Sequence, residues 1–233
     1  MKKGLLALAL SGLGLFSMAS SSRAATLAIQ LQEDGGAITT VATQATGPGG
    51  AIQFTGTYGD FSVVLNGASS SQGVALSGLQ GSTTSISNTN GITHTLKVFI
   101  TQTDYTLPAG SPLTVTSGLG GSISSGSLGL TGIFQGYADS GNAAFGIADF
   151  TTGPQNANLN GSTFDTGSAG GQFNRGGSFS LTSVATIVLS AGGSVNFSDH
   201  VNVAAPLPSA AWGGLGLLGM IAGSHFVRRR QLA

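Results

Sequence analysis

The stretch Phe179-Ser180-Leu181-Thr182-Ser183-Val184-Ala185-Thr186-Ile187-Val188-Leu189 decides the fold class. Every second position, starting from Phe179, carries an apolar side chain, with Ser183 as the one exception. Side chains two residues apart point to the same face of a strand, so the segment predicts a strand with one buried face. Ser194–Val203 repeats the pattern, with Val195, Phe197, Val201 and Val203 on one side. Burial of one face only is typical of antiparallel sheets.

Working outward, several other segments alternate in the same way, and they are Thr26–Gln32, Ile52–Phe54, Phe61–Leu65, Ile92–Asp104, Leu128–Phe134 and Ala143–Phe150. No segment between residues 25 and 203 shows an apolar period of 3.6 residues. We therefore predict nine to eleven strands in an all-β, antiparallel β-sandwich of the jelly-roll or immunoglobulin-like kind. The closely spaced glycines of Gly118–Gly136 leave a β-solenoid as the alternative.

Residues that favour turns separate the predicted strands. Asn90-Gly91 lies between Thr83–Asn88 and Ile92–Asp104 and predicts a two-residue hairpin. The Ser-rich segment Ala68–Ser77 predicts a loop, and Thr151–Gly177 predicts a long loop with short strands.

The N-terminus has the pattern of a secretory signal. Lys2-Lys3 precede an apolar run from Gly4 to Met18, and Ser22-Arg23-Ala24 is a small-x-small cleavage site. We expect residues 1–24 to be a signal peptide, and signal peptidase to cut between Ala24 and Ala25. The alternative is an uncleaved anchor helix, for which the apolar run is shorter than the roughly 20 residues that span a bilayer.

The charged residues are unevenly distributed between the ends and the body. Residues 25–203 contain two basic residues, Lys97 and Arg175, against eight acidic ones, which gives a net charge of −6. Such a body repels phosphate backbones, so we expect no nucleic-acid partner. The chain has no cysteine, which excludes disulfides, thiolate metal sites and a cysteine nucleophile.

Residues that could carry catalysis are few. His94 falls on the apolar face of Ile92–Asp104, together with Leu96 and Val98, and is expected to be a core or rim histidine. His200 follows Asp199, and neighbours in a strand point to opposite faces, so these two do not form a dyad. We therefore predict no enzymatic activity and no cofactor.

Two alternatives to an inert body stay open. An enzyme would need converging acids and histidine, and the best remaining set is Asp139, Asp149 and His94. A calcium site could be built from loop aspartates and carbonyl oxygens, but the sequence has no compact Asp-x-Asp-x-Asp loop.

A carbohydrate-binding or adhesive module would need an exposed aromatic platform. Tyr58, Tyr105 and Tyr137 are the only tyrosines that could supply it.

The C-terminus combines three features in a fixed order. Pro206-Leu207-Pro208 is followed by an apolar run over residues 209–227 and then by Arg228, Arg229 and Arg230. The run is close to the length of a spanning helix, and the arginines act as a stop that stays in the cytoplasm. We expect a transmembrane helix over 209–227 with the body outside.

The motif Ala205-Pro206-Leu207-Pro208-Ser209, with the helix and the basic stop behind it, resembles the PEP-CTERM class of sorting signals in its Val-Pro-Leu-Pro-Ala variant. Ala205 stands where Val is usual in that class, and Ser209 stands where Ala is usual. The resemblance implies an exosortase-like membrane protease that cuts at the motif, in a Gram-negative bacterium that makes extracellular polysaccharide.

The expected organisation is therefore a signal peptide (1–24), a β-sandwich ectodomain (25–203) and a sorting tail (204–233). We expect export through the inner membrane, transient anchoring there, and a final place at the cell surface or outside the cell. The expected role is non-catalytic, in association with exopolysaccharide or biofilm. The alternative is a carbohydrate-binding or adhesive sandwich that its C-terminal helix anchors permanently.

Overall fold

The computed structural model describes residues 25–206 together with Leu217, Leu218 and Met220, and only the backbone of residues 66–70. This part of the chain forms fourteen strands: β1 Leu27–Glu33, β2 Thr39–Gln44, β3 Ala51–Tyr58, β4 Phe61–Ser71, β5 Leu76–Asn88, β6 His94–Tyr105, β7 Leu113–Ser125, β8 Phe134–Asp139, β9 Phe150–Thr151, β10 Asn158–Asn160, β11 Thr163–Asp165, β12 Ala169–Phe173, β13 Phe179–Leu189 and β14 Ser194–Ala204. The predicted signal peptide and the predicted transmembrane helix lie outside the described residues, apart from Leu217, Leu218 and Met220, which are helical.

The strands form two antiparallel sheets. The first sheet has the order β2-β1-β6-β13-β8-β9. The second has the order β10-β11-β7-β14-β5-β4-β3, and β12 also pairs with β7. Every pairing between named strands is antiparallel, which confirms the all-β antiparallel prediction and rules out the solenoid alternative for the described residues.

The core lies between the two sheets, as the alternating pattern predicts. Leu181 and Ile187 of β13 are fully buried, and so are Val195 and Val201 of β14. These side chains belong to one continuous apolar cluster to which both sheets contribute. Since β13 and β14 lie in different sheets and follow each other directly, this pair of segments supplies both layers of the sandwich.

The predicted hairpin at Asn90-Gly91 is wrong. β5 belongs to the second sheet and β6 to the first, so this segment carries the chain across the sandwich. Asn88 holds the crossing, because its buried Nδ2 donates to the carbonyl oxygens of Ile92 (2.7 Å), Leu189 (3.0 Å) and Ser190 (3.1 Å). Ile92 itself is 63% exposed, and β6 begins only at His94.

Of three other local predictions, one is wrong, one is partly wrong and one is confirmed. Ala143–Phe150 is not a strand, because Asp139 accepts hydrogen bonds from the N–H groups of Gly141 and Ala143 (3.0 Å each) and fixes a turn there. The predicted loop over Ala68–Ser77 shrinks to residues 72–75, since β4 and β5 extend into it. The long loop with short strands over Thr151–Gly177 is confirmed by β10, β11 and β12.

Both described termini lie at one end of the sandwich. Leu27 at the start of β1 pairs with Gln102, near the end of β6. The hydroxyl of Tyr105, three residues further on, donates to the carbonyl of Gly78 (2.8 Å), and Gly78 pairs with Asn202 near the end of β14. We call this end the termini end.

The opposite end is the rim end. There Glu33 of β1 pairs with Leu96, and His94 pairs with Leu189. The Gly59-Asp60 turn between β3 and β4 also lies there, since Phe61 pairs with Asn88. Turns from both sheets therefore meet at the rim end.

Candidate functional site

The predicted sorting and cleavage residues are described only in part. Ala205 and Pro206 follow directly after β14, and Pro206 is exposed. Ala25 is half-buried, two residues before β1. Ala24, the rest of the motif (Leu207, Pro208 and Ser209) and the stop residues Arg228, Arg229 and Arg230 lie outside the described residues. Within the described part of the chain, no helix has the length and apolar character to cross a membrane.

The three residues of the enzyme alternative do not come together. Asp139 pairs with Ser180 at one end of β13, whereas His94 pairs with Leu189 at the other. Nine residues of extended strand separate the two positions by about 30 Å.

Asp139 and Asp149 instead organise the loop that follows β8. Asp149 accepts hydrogen bonds from both the hydroxyl and the N–H of Ser140, the latter at 2.7 Å. These two bonds hold the pKa of Asp149 below its usual value. Asp139 and Asp149 thus stabilise this loop, and their hydrogen bonds account for both acids without a catalytic role.

The three tyrosines do not form a platform. Tyr105 is fully buried and stacks on Phe179, with ring centroids 5.5 Å apart. Tyr58 belongs to the second sheet and Tyr137 to the first. The tyrosine platform that a carbohydrate-binding module would need is therefore not formed by these three residues.

A different set of titratable side chains meets at the rim end: Glu33, Asp34, Asp60 and His94. We call it the rim cluster. The end of β1, the turn between β3 and β4, and the start of β6 each contribute to it. The cluster therefore connects the two sheets.

Asp34 enters the cluster through an unusual backbone conformation. Its φ is +45°, in the left-handed region that few non-glycine residues adopt. The conformation is held on both sides, because the N–H of Asp34 donates to the carbonyl of Thr95 (3.0 Å) and Oδ1 accepts from the N–H of Thr95 (2.8 Å). Oδ2 is left to contact Nδ1 of His94 at 2.6 Å.

Glu33 and Asp60 are brought together by the turn at Gly59. Oε1 of Glu33 accepts a hydrogen bond from the N–H of Asp60 (3.0 Å). Gly59 has a φ of +53°, and a Cβ added there would lie 1.5 Å from Oε2 of Glu33. Only glycine at this position leaves room for the Glu33 carboxylate.

His94 lies in the middle of the cluster with its side chain 11% exposed. The ring of the buried Phe61 packs edge-on at 6.5 Å and gives one apolar wall. Nε2 lies 3.3 Å from Oδ2 of Asp60, yet this buried nitrogen has no hydrogen-bond partner. Oδ2 of Asp60 also accepts from Nδ2 of Asn90 (2.9 Å).

The charges of the cluster shift two pKa values in opposite directions. The hydrogen bond between Asp34 and His94 is the main cause of both. It lowers the pKa of Asp34, with help from the N–H of Thr95, and raises the pKa of His94 against the opposing effect of burial. Three carboxylates around one imidazole leave the cluster with a net charge of −3 or −2, which favours a cation.

Sequence reasoning found the parts of the rim cluster but not their proximity. The sequence predictions placed His94 on the apolar face of a strand and assigned no role to Glu33, Asp34 or Asp60. Asp60 is 27 residues from Glu33 and 34 residues from His94, so no local motif connects them. The positive φ of Asp34 and Gly59 has no sequence signal beyond the turn-forming residues themselves.

Asp199 is the one acidic side chain of β14, and it points into the core. It is 3% exposed, and Oδ1 accepts from the N–H of Gly81 (2.8 Å). Burial raises its pKa to about 7, while the bonds to Gly81 and Ser183 act in the opposite direction. As predicted, its neighbour His200 lies on the other face of the sheet, so the two do not act together.

The outer face of β5 and β14 forms a shallow polar groove. Gly81 and the inward-pointing Asp199 contribute to its lining, and its outward-facing side chains are those of Gln80, Ser82, Ser198, His200 and Asn202. None of these outward-facing side chains carries a full charge at neutral pH when His200 is neutral, and burial lowers the pKa of His200 toward that state. The groove can offer hydrogen bonds but no aromatic stacking surface from Tyr, Trp or Phe.

A scan of protein-family models and a search of the curated proteins find no match to this chain. The residues and their geometry therefore carry the functional argument.

Proposed function

We propose that this chain is an exported, non-catalytic protein of the cell surface or extracellular matrix. A signal peptidase removes residues 1–24, and an exosortase-like membrane protease processes the motif over residues 205–209. The jelly-roll or immunoglobulin-like topology and the two flanking helices are part of this proposal. The sequence of the tail is the observation that carries it.

The end of β14 supports access of a protease to the motif. Ala204 is paired on both sides, with Leu76 of β5 and Thr114 of β7. One more bond follows, from the N–H of Ala205 to the carbonyl of Ala75 (3.1 Å). Pro206 lacks an N–H group and is exposed, so the pairing ends at Ala205, the first residue of the motif.

The position of the termini supports a single orientation at the membrane. Both Leu27 and Ala204 lie at the termini end, so a tail anchored after Ser209 would hold that end close to the lipid surface. The rim end would then point away from the membrane. The intervening residues 205–208 span at most about 14 Å when extended.

The surface chemistry supports contact with hydrated polysaccharide. The groove over β5 and β14 presents hydroxyl, amide and imidazole groups. Hydroxyl-rich glycans can exchange hydrogen bonds with such groups, and a body with a net charge of −6 avoids strong binding to anionic partners. The alternative, a permanently anchored carbohydrate-binding module, lacks the tyrosine platform that it would need.

Intact-mass analysis of the protein from the cell surface and the medium of the native host tests the proposal. We expect an N-terminus at Ala25 and a C-terminus between Ala205 and Ser209, with additional mass if the end is attached to another molecule. A mature chain that still ends at Ala233 would contradict processing.

A matched pair of proline variants makes the test specific. Pro206→Ala combined with Pro208→Ala should leave the tail uncut and the protein in the membrane fraction. Pro154→Ala, in a loop of the body, should be processed like the wild type. Equal processing of the two variants would contradict recognition of the motif.

A further inference from the structure

Three features of the rim end together indicate a ligand: Nε2 of His94 is buried without a hydrogen-bond partner, the Asp60 carboxylate lies 3.3 Å from it, and the carboxylates of Glu33 and Asp34 lie 3.9 Å and 2.6 Å from Nδ1 of the same ring. Hydrogen bonds within the protein leave Nε2 of His94 without a partner and do not neutralise the three carboxylates around it.

The hydrogen bond between Asp34 and His94 settles the role of each ring nitrogen. A carboxylate can only accept, so Nδ1 of His94 donates to Oδ2 of Asp34 at 2.6 Å. In the neutral ring, Nε2 then carries a lone pair and faces Oδ2 of Asp60, another acceptor, at 3.3 Å. Two acceptors at this distance repel each other unless a proton on Nε2 or a metal ion lies between them.

A carboxylate that accepts from one nitrogen of a histidine while the other nitrogen binds a metal is a recurrent arrangement. The carboxylate fixes the tautomer and makes the second nitrogen more basic. Asp34 has this relation to His94. Asp34 would therefore orient the ring, and Nε2 would be the ligand.

The spacing of the other ligands fits a small divalent cation. One ligand atom from each of Glu33, Asp60 and His94 lies within 4.8 Å of the other two. Zn²⁺ bonds of about 2.0–2.1 Å in a tetrahedron place neighbouring ligand atoms about 3.3–3.4 Å apart. The Nε2 to Oδ2 distance of 3.3 Å matches this spacing.

We propose that Glu33, Asp60 and His94 bind a first-row divalent transition-metal ion of the Zn²⁺ type at the rim end, with Asp34 orienting His94. One imidazole nitrogen and two carboxylates suit such an ion better than Ca²⁺, which takes six to eight oxygen ligands. Water would complete the coordination. The bound ion would connect β1 and β6 of the first sheet to the turn between β3 and β4 of the second.

Calorimetric titration of the full chain, purified in detergent without a polyhistidine tag and stripped with EDTA, tests the site. We expect one Zn²⁺ per chain and a higher melting temperature in its presence, because an ion that binds only the folded state stabilises it. Ca²⁺ at the same concentrations should produce neither effect. Absence of Zn²⁺ binding, or tighter binding of Ca²⁺ than of Zn²⁺, would overturn the proposal.

Two pairs of variants locate the site. His94→Gln and Asp60→Asn should weaken Zn²⁺ binding at least tenfold. His200→Gln and Asp165→Asn remove the same residue types elsewhere on the body and should bind as the wild type does. Loss of binding in His200→Gln, or unchanged binding in His94→Gln, would refute the assignment.

A milder variant and NMR measurements distinguish loss of the metal site from misfolding of the variants. In Glu33→Gln the amide oxygen still accepts from the N–H of Asp60, so the turn is kept while one charge is lost. Circular dichroism should match the wild type, and Zn²⁺ affinity should fall. In the wild type, NMR should show a Zn²⁺-dependent shift of Nε2 of His94, and a shift at His200 alone would contradict the proposal.

Discussion

Replacing Asp199 by Asn should remove the contribution of this side chain to the pH dependence of the unfolding free energy between pH 5 and pH 8. The side chain lies in the core, where the charged form of a carboxyl group is strongly disfavoured. Its pKa is raised from 3.8 to about 7 by burial. The acid is therefore protonated in the folded protein over a pH range in which the unfolded chain has already lost the proton.

The sign of the effect follows from proton binding. Between about pH 4 and pH 7 the folded state of Asp199 holds a proton that the unfolded state does not. Stability must then fall as pH rises, because the unfolded state binds fewer protons. Below this window both states are protonated, and above it both are ionised, so the contribution of Asp199 is constant on either side.

The magnitude follows from the shift of the pKa. At 1.36 kcal/mol for each pKa unit, a shift of about three units corresponds to about 4 kcal/mol over the whole window. About 3 kcal/mol of this falls between pH 5 and pH 7. For a domain of this size the same change corresponds to roughly 6–12 °C in Tm.

Asn is a suitable replacement because its side chain has nearly the shape of the Asp side chain and keeps the contact with Gly81. Its amide oxygen can still accept from the N–H of Gly81, and its NH2 group can donate toward Oγ of Ser183. A Cβ at Gly81 would lie 2.7 Å from Oδ1 of Asp199, so the strand is already fitted closely around this side chain.

Urea denaturation of both proteins at several pH values provides the measurement. The difference in unfolding free energy between Asp199→Asn and the wild type should grow by about 3 kcal/mol from pH 5 to pH 8. Other groups, including His94 at the rim end, cancel in this difference because they are present in both proteins. A difference that stays constant with pH would refute the reasoning.

Two further substitutions test contacts in the two ends of the sandwich. Gly59→Ala should destabilise the fold by about 1–3 kcal/mol in chemical denaturation, because the new Cβ meets Glu33 and the positive φ is strained for alanine. Gly91→Ala is the control, since a Cβ there has nothing within 4 Å, and it should destabilise the fold much less. Tyr105→Phe should cost about 1–2 kcal/mol, since it leaves the buried carbonyl of Gly78 without this donor. Thermal denaturation checks it, and an unchanged Tm would contradict that cost.

The strands were predictable because burial has a direct sequence signal. In β13, burial alternates as predicted from Ser183 to Leu189, whereas the five residues Phe179–Ser183 are all buried. Asp199 had a signal as well, since it occupies the same alternating positions as Val195, Phe197 and Val201. A charged residue at a core position is a departure from the pattern that sequence reasoning can detect.

The pairing of strands was less predictable, because it depends on contacts distant in sequence. Asn90-Gly91 has the composition of a tight hairpin turn, but the buried Asn88 ties the segment to Leu189 and Ser190 instead. Local turn preference contributes less free energy than the three hydrogen bonds that Asn88 donates, one of which is buried. For the same reason, the proximity of Asp60 to His94 could not be read from either segment alone.

The two proposals concern opposite ends of the body and can fail independently. β14 runs from the rim end at Ser194 to the termini end at Ala204, and ten residues of strand cover about 33 Å. Electrostatic interactions between exposed charges decay over about 8 Å at physiological ionic strength. If the tail is anchored in the membrane as proposed, the rim cluster would therefore be electrostatically independent of the lipid surface. Zn²⁺ affinity should be the same before and after removal of the tail, and a difference of more than about threefold, or roughly 0.7 kcal/mol, would show that the two ends are coupled.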